Sequence, residues 1–361
     1  MQFRFEARPT PSRKVFWLSP LVAIALSCLV AMAIFALSGL APVASLITFI
    51  TEPVSTMYGF GELLIKAAPL ILIAVGLAIG FRANVWNIGA EGQIIMGVIF
   101  SGGLALAYGD SDSWLVLPGM VLLGLLGGSV WASIPALLRI HFRANEILTS
   151  LMLNYVAHFA LIFLVHGIWR DPAGFNFPQS KPLGEAALFP VLIEGTRANL
   201  SILFAPLAVL LAWLLLKRSF LGFQLQARGV SQSAAQYAGF RADRAILVGM
   251  LCGGAAAGVA GVAEVAGPLG QIYPSVTPGY GYAAIIVAFL GQLHPVGILF
   301  AGLLMALLYL SGDAAQMILG LPPSIAGVIQ ATLLFFLLST EVLVNYRLRR
   351  SRDLSSGGSI A

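Results

Sequence analysis

The stretch FRANVWNIGAEGQ, residues 81–93, is strongly polar in the middle of apolar sequence. It carries an arginine, two asparagines, a glutamate and a glutamine. Hydrophobic runs flank it on both sides, APLILIAVGLAIG at 68–80 and IIMGVIF at 94–100. Polar groups in such a place form either a loop between two helices or a site that the protein needs in its interior. The sequence around it decides between these interpretations.

The composition predicts a membrane protein. Of the 361 residues, 59% are hydrophobic and only 10% are charged, which is too little charge to cover a soluble surface. Six apolar stretches are each near the ~20 residues that a helix needs to cross a bilayer. They are 16–37, 63–80, 114–138, 147–166, 198–216 and 324–344. Because these runs lack the two-residue alternation of barrel strands, the fold class is predicted as an all-α polytopic membrane protein.

The distribution of basic residues predicts the topology. The basic N-terminal segment places that end in the cytoplasm by the positive-inside rule, and alternation then gives about ten crossings with both termini inside. The crossings are 16–37, 63–81, 91–108, 114–138, 147–166, 198–216, 245–266, 281–291, 295–311 and 324–344. With this assignment, 15 of the 20 Lys and Arg residues lie on the cytoplasmic side. The apolar run from Val15 to Leu37 is longer than the core of a signal peptide, so we expect it to be retained.

The same alternation divides one transmembrane domain, 1–361, into its exposed segments. The cytoplasmic parts are a tail at 1–15, a basic loop at 217–244 and a tail at 345–361. The periplasmic parts are 39–62, where a helix is expected to lie along the interface, and the Pro- and Gly-rich loop 167–197.

Motifs for catalysis and cofactor binding are absent from the sequence. No lysine completes a phosphate-binding loop, no Gly-x-Ser-x-Gly elbow occurs, and the four histidines are scattered without metal-ligand spacing. Cys28 and Cys252 lie inside apolar runs, as buried cysteines do. We therefore expect no enzyme activity, cofactor or metal in this chain. The basic excess indicates membrane topology rather than nucleic-acid binding.

Polar side chains also occur within the predicted crossings, where they are costly. They include Glu91, Glu146, Glu264, Asp313, Asn87, Gln93, Asn154, Gln271 and Gln292. Glu146 and Asn154 are eight residues apart with Ser150 between them, so the three share one helical face. Such a stripe forms either helix-to-helix hydrogen bonds or the lining of a path for a polar solute.

The opening stretch has a counterpart near the C-terminus. At 267–291, GPLGQIYPSVTPGYGYAAIIVAFLG is again a Gly/Pro-broken polar segment that leads into a short apolar helix. The first break follows an inward crossing and the second an outward one, a pattern typical of an inverted repeat whose discontinuous helices form a binding site near the membrane midplane. Glycine pairs at four-residue spacing, such as Gly124 with Gly128 and Gly254 with Gly258, are expected to let helices pack closely.

Four stretches carry a family resemblance. They are APLILIAVGLAIGFRANVWNIGAEGQIIMG (68–97), ANEILTSLMLNYVA (144–157), GFQLQARGVSQSAAQYAGF (222–240) and YGYAAIIVAFLGQLHPVGILFAGLL (280–304). Together they resemble the permease subunits of bacterial ABC importers of the branched-chain amino acid/ribose type, and within it the simple sugar/nucleoside branch.

The resemblance implies partners and a location. Such permeases lie in the bacterial inner membrane and pair with a second homologous permease or with themselves. They bind two cytoplasmic ATPase subunits, which hold ATP and Mg, and they receive solute from a periplasmic or lipid-anchored binding protein. The missing phosphate loop is consistent with this division of labour.

The resemblance also implies which residues act. An Ala-Ala-x-x-x-Gly pattern marks the helix that docks on the ATPase. Here it is Ala234, Ala235 and Gly239, with Tyr237 and Phe240 as anchors. The solute path is expected to include Phe81, Trp86, Asn87, Glu91, Gln93, Glu146, Asn154, Tyr282 and Gln292. We expect Arg82–Asn84 to lie nearest the cytoplasm and Asn87–Gln93 to face the path.

Three interpretations remain open at this stage. The first is an importer permease for a nucleoside, or for a sugar or riboflavin-like compound. The second is an ion- or proton-coupled transporter in which Glu91, Glu264 and Asp313 relay protons. The third is a membrane scaffold or enzyme without transport.

Overall fold

The structure, a computed structural model, describes residues 3–7, 13–109, 111–322 and 324–350. In this part of the chain the helices are α1 (Arg13–Leu37), α2 (Pro42–Thr51), α3 (Met57–Arg82), α4 (Ala90–Ala107), α5 (Val116–Phe142), α6 (Glu146–His166), α7 (Phe204–Arg218), α8 (Phe220–Val230), α9 (Gln232–Tyr237), α10 (Ala242–Glu264), α11 (Tyr280–Leu290), α12 (Pro295–Leu319) and α13 (Ser324–Asn345). Two short strands are β1 (Phe3–Ala7) and β2 (Tyr346–Arg350).

The strands are a departure from the predicted all-α fold. They pair antiparallel, with Phe3 opposite Arg350 and Ala7 opposite Tyr346. Both fall within the segments predicted as terminal tails, 1–15 and 345–361. The remaining tail residues 1–2, 8–12 and 351–361 lie outside the described residues. In the described residues the long elements are all helices, as predicted.

Eight helices in the described part are long and apolar enough to cross a membrane. They are Leu18–Leu37, Met57–Arg82, Ala90–Ala107, Val116–Phe142, Glu146–His166, Leu200–Arg218, Ala242–Leu269 and Pro295–Leu319. Each coincides with a predicted crossing. The predicted crossing at 281–291 is the shorter apolar helix Tyr280–Leu290, and α13 covers the last one. The multi-pass helical class is therefore confirmed, while the count of ten crossings stays a prediction.

The chain forms two compact units. The first contains the two strands, α1, α2, α13 and the part of α12 from Ser311 onward. Within it α1 packs along α13, where Thr340 Oγ1 donates to the carbonyl of Ser19 over 3.4 Å. Phe35 of α1 meets Phe49 of α2 with ring centroids 5.8 Å apart.

The second unit, Glu52–Leu310, is organised around α3 and α10. Helix α3 is buried along nearly all of its length from Gly61 to Phe81. Helices α5 and α10 meet at the predicted small-residue pairs. A Cβ atom added at Gly128 would overlap the carbonyl oxygen of Gly254, and one added at Gly258 would overlap that of Gly124. These glycines let the two backbones touch, as their spacing predicted.

Helix α3 begins earlier than the hydrophobicity suggested. Its first residue is Met57 instead of 63, because Thr56 caps it by accepting from Gly59 N over 3.0 Å. The predicted external segment 39–62 therefore contains α2 and the first turn of α3.

The long loop 167–197 is hydrogen-bonded to the segment that joins α10 and α11. Its backbone N–H groups donate to the segment 266–272. Ser180 N bonds to Ile272 O over 3.0 Å, Leu183 N to Gly270 O over 2.9 Å and Phe189 N to Ala266 O over 2.8 Å. Arg197 ties the loop to α3 through a two-pronged pair with Glu62, at 2.8 and 2.6 Å. This hydrogen bond raises the pKa of Arg197.

Candidate functional site

The break between α3 and α4 is closed by a pair of amides. Asn87 Nδ2 donates to Gln93 Oε1 over 2.9 Å, and Gln93 Nε2 donates back to Asn87 Oδ1 over 3.0 Å. Asn87 Oδ1 also accepts from Gly89 N over 3.0 Å. The two side chains are only 2% and 1% exposed. Asn87 and Gln93 therefore hold the loop 83–89 on the first turn of α4.

The polar face of α6 satisfies the backbone of this break. Asn154 Oδ1 accepts from Gly92 N over 2.9 Å, and its Nδ2 donates to Ile88 O over 3.0 Å. One turn earlier, Ser150 Oγ accepts from Ile88 N over 3.3 Å. Buried peptide groups without such partners are costly, so these two α6 side chains stabilise a non-helical segment inside the helical core.

Glu91 joins the start of α4 to the start of α11. Its Oε1 accepts from Thr277 Oγ1 over 2.9 Å, and its Oε2 accepts from Gly281 N over 2.7 Å. The carboxylate thus faces the first turn of α11, where the helix dipole favours negative charge. Gly281 lies so close to Ala90 and Glu91 that a Cβ atom there would overlap the backbone. The N-termini of α4 and α11 meet at this point.

A cavity of about 260 Å³ opens beside this meeting point. Three predicted path residues line it, namely Glu91, Asn154 and Tyr282. Asn154 Nδ2 donates to the Tyr282 hydroxyl over 3.0 Å, which links α6 to α11 across the cavity wall. The remaining lining residues are Ile95, Tyr155, His158, Pro274, Ser275 and Thr277.

Sequence reasoning missed several of these lining residues although signals for them exist. His158 follows Asn154 by four residues, so it continues the polar face of α6, and Tyr155 lies three residues before His158 on an adjoining part of the same helix. Ser275 and Thr277 lie inside the Gly/Pro-broken stretch 267–291. The cavity wall is therefore built from the start of α4, the polar face of α6 and the 267–291 stretch, all of which the sequence singled out.

Three predicted path residues pack elsewhere. Phe81 and Trp86 stack on Phe289 of α11, with ring centroids 5.3 and 5.8 Å away, and they contact each other at a tilt with centroids 5.2 Å apart. Gln292 occupies the turn after α11 with φ +55°. Next to it, Arg82 Nε donates to Leu293 O over 2.9 Å. These residues fasten the end of α3 to the end of α11 and do not line the cavity.

Glu146 also lies away from the cavity. At the first turn of α6 its carboxylate forms an ion pair with Arg139 near the end of α5. The expected stripe on α6 is thus divided between two sites. Ser150 and Asn154 contact the break, whereas Glu146 stabilises the α5–α6 turn.

The predicted coupling segment forms α8, α9 and the turn that follows. Ser231 caps α9 by accepting from Ala234 N over 3.3 Å, and Ala235 is buried against its neighbours. Gly239 ends the segment with φ +80°, a left-handed conformation that favours glycine. Tyr237 is 97% exposed.

Aromatic contacts pack the end of this segment against α8. Phe240 meets Phe220 and Phe223 of α8 edge to face, with ring centroids 6.0 and 6.1 Å away. Arg228 of α8 is buried and donates to the carbonyl of Ala242 at the start of α10. The pKa of Arg228 is lowered, mainly because its side chain is buried and also because the Arg139 guanidinium lies nearby. These contacts hold α8 and α9 against α10.

Comparisons with known proteins agree on one family. The family described as branched-chain amino acid transport system / permease component matches residues 59–338. A glucose ABC transporter permease protein of Haloferax volcanii, TsgB13, is 33% identical over 86% of both chains. A nucleoside ABC transporter permease protein of Lactococcus lactis, NupB, is 30% identical over 96% of both chains. A guanosine ABC transporter permease protein of Bacillus subtilis, NupP, is 28% identical over 90% of this chain and 94% of the relative.

Proposed function

From the premise that this chain belongs to the branched-chain amino acid transport permease family, we propose that it forms the translocation path for a nucleoside in an ABC importer. The observation that carries this proposal is the match to the nucleoside permease NupB over 96% of both chains. Relatives of this kind are permease proteins, so ATP hydrolysis belongs to a separate subunit, which also holds ATP and Mg. This assignment leaves no need for a cofactor in the chain itself.

The cavity beside Glu91 is the proposed solute site. Tyr155 and Tyr282 offer aromatic faces on which a nucleobase can stack, and Asn154, Thr277 and His158 offer donors and acceptors for base edges and ribose hydroxyls. The Glu91 carboxylate already accepts two hydrogen bonds from the chain. Its role is to hold α11 against α4 at the cavity edge, which argues against a freely relaying proton carrier.

A sugar is the second candidate solute. TsgB13, a glucose permease protein, is slightly more identical to this chain than the nucleoside relatives are. The same donors and acceptors suit sugar hydroxyls. The two candidates differ in the aromatic contribution, because a nucleobase has a flat aromatic ring that can stack on a tyrosine and a sugar has none.

The two broken helices support the proposed inverted repeat and the ten-crossing topology. Helices α4 and α11 each follow a non-helical segment, and their N-termini meet at Glu91 and Gly281. Discontinuous helices that meet in this way are how many transporters build a midplane site. Together with the distribution of basic residues, this arrangement of helices supports a protein of the cytoplasmic membrane with both termini on the cytoplasmic side.

The coupling segment gives the proposed contact with the ATPase. Tyr237 projects from α9 with no shielding, and the small exposed residues Ala234 and Gly239 leave the backbone accessible to a close partner, while Ala235 packs inward. The complex would contain two permeases, alike or homologous, two ATPase subunits and a solute-binding protein on the opposite face.

Transport in sealed vesicles tests the proposal. The chain is purified with the proteins that accompany it, reconstituted with ATP inside, and supplied outside with binding protein loaded with labelled adenosine or labelled glucose. We expect adenosine uptake that needs ATP and Mg and persists when a protonophore collapses the proton gradient. Uptake that does not require ATP but stops when the protonophore is added would favour a proton-coupled transporter. ATP-driven uptake of glucose alone would replace the nucleoside with a sugar.

A further inference from the structure

A small cavity lies behind α9, where α8, α9 and the first turn of α10 come together. Its volume is about 70 Å³, the size of a single small polar group. It is lined by Leu221, Gln224, Leu225, Arg228, Gln232, Ala235, Gln236, Phe240, Arg241, Ala242, Arg244 and Ala245. Three arginines and three glutamines therefore surround a space whose remaining wall is apolar or small.

The charge around this cavity is unbalanced. The segment 217–244 carries five basic residues and one acidic residue, Asp243. Within the described part of the chain, no ion pair joins Arg228, Arg241 or Arg244 to a carboxylate. Guanidinium groups present forked donors that match the two oxygens of a carboxylate. A space of this size with this lining suits an anionic group from another molecule.

We propose that this pocket receives the carboxylate of an acidic side chain on the ATPase subunit. The inference rests on the proposed function, in which α9 docks on that subunit. It adds the chemistry of the contact, namely an Asp or Glu of the ATPase inserted between Arg228, Arg241 and Arg244.

The position of the pocket favours a protein partner over a lipid headgroup. Ala235, Gln236 and Phe240 form part of the wall, and they belong to the same short segment that presents Tyr237. A partner seated on Tyr237 would therefore lie next to the residues of the pocket wall, where its presence would reduce the access of water to the ion pair. Interfaces commonly place Tyr and Arg anchors side by side in this way, and exclusion of water strengthens the charged contact.

Charge reversal at the rim tests the pocket. The full chain in lipid nanodiscs is titrated with the ATPase subunit that co-purifies with it, and the Kd is measured for Arg244→Glu and Lys217→Glu. Lys217 is exposed in the same basic segment but does not line the pocket. Both variants replace a basic residue with glutamate, so they change the net charge equally. We expect Arg244→Glu to weaken binding about thirtyfold or more, and Lys217→Glu to weaken it about threefold at most.

Two further variants make the outcome decisive. Arg244→Gln removes the charge without reversing it and should also weaken binding, and an unchanged unfolding temperature in both variants would show that the loss is not caused by misfolding. An acid-to-lysine change on the ATPase that restores binding to Arg244→Glu would identify the inserted residue. Equal effects of Arg244→Glu and Lys217→Glu would overturn the pocket.

The variant Tyr237→Ala separates this inference from the proposed function. If Tyr237→Ala weakens ATPase binding while Arg244→Glu does not, α9 docks but the pocket is empty of any partner carboxylate. If neither variant changes the Kd, the coupling assignment itself fails. If Arg244→Glu leaves the Kd unchanged but lowers the affinity for vesicles that contain phosphatidylglycerol, the pocket binds a lipid headgroup and the proposal is wrong.

Discussion

The break at α4 and α11 and the coupling segment at α8 and α9 differ in where their polar and aromatic side chains find partners. At the break, Asn87, Gln93 and Glu91 are at most 8% exposed and bond within the chain. At the coupling segment, Tyr237 is 97% exposed and the arginines of the pocket have no carboxylate partner among the described residues. The first region finds its partners within this chain, whereas the second leaves exposed groups available for the proposed partner.

This difference predicts how each region responds to mutation. Changes at the break should reduce stability, because they leave buried groups without partners or force backbones apart. Changes at the exposed side chains of the coupling segment should leave stability unchanged and reduce association. A variant at the break that reduced only association, or an exposed coupling-segment variant that reduced stability, would contradict this comparison.

The largest loss of stability is expected at Gly281. In Gly281→Ala the new Cβ atom would lie 2.7 Å from Glu91 Cα, so the starts of α4 and α11 cannot keep their contact. We expect the free energy of unfolding in detergent to fall by about 3 kcal/mol or more. Gly327→Ala is the matched control, because an added Cβ atom there meets nothing within 4 Å. A loss of the same size in both variants would contradict the close approach.

An intermediate loss is expected at the amide pair. Asn87→Ala leaves the buried Gln93 amide without its partner and should cost about 1–3 kcal/mol of unfolding free energy. Because Gln93→Ala removes the same two bonds, the double variant should cost less than the sum of the single variants. Strict additivity in this cycle, measured by thermal or denaturant unfolding, would show that the two amides act independently.

The smallest effect on stability is expected at Tyr237. Since its side chain is 97% exposed, Tyr237→Ala should change the unfolding free energy by no more than about 0.5 kcal/mol. Solute-stimulated ATP hydrolysis by the assembled complex should nevertheless fall. A large drop in stability would mean that α9 is held by contacts of Tyr237 within this chain.

The sequence was sufficient for the helical membrane class and for the position of the two breaks. Long apolar runs indicated the membrane class, and polar residues inside such runs indicated the positions of the breaks. It could not assign the side chains within the break, because Asn87, Glu91 and Gln93 look equally suited to a solute path. Their partners depend on how α6 and α11 pack against α4, which periodicity does not reveal.

The same limit explains the other differences. Phe81 and Trp86 resemble stacking platforms for a solute, yet Phe289 supplies the ring on which they stack. Glu146 shares a helical face with Asn154 but reaches Arg139 first. By contrast, Tyr237 lies on a short helix, as the family resemblance implied, and Ser231 caps the start of this helix while Gly239 ends the segment.

Solute protection of a single cysteine tests most directly whether the cavity beside Glu91 lies on the transport path. Cys28 and Cys252 are replaced by alanine, and His158→Cys is introduced in the cavity wall. Phe163→Cys on the exposed face of the same helix, outside the cavity, serves as the control. In the assembled transporter supplied with loaded binding protein and ATP, adenosine should slow maleimide labelling of His158→Cys severalfold and leave Phe163→Cys unchanged. Labelling of His158→Cys at the same rate with and without adenosine would contradict the proposed path.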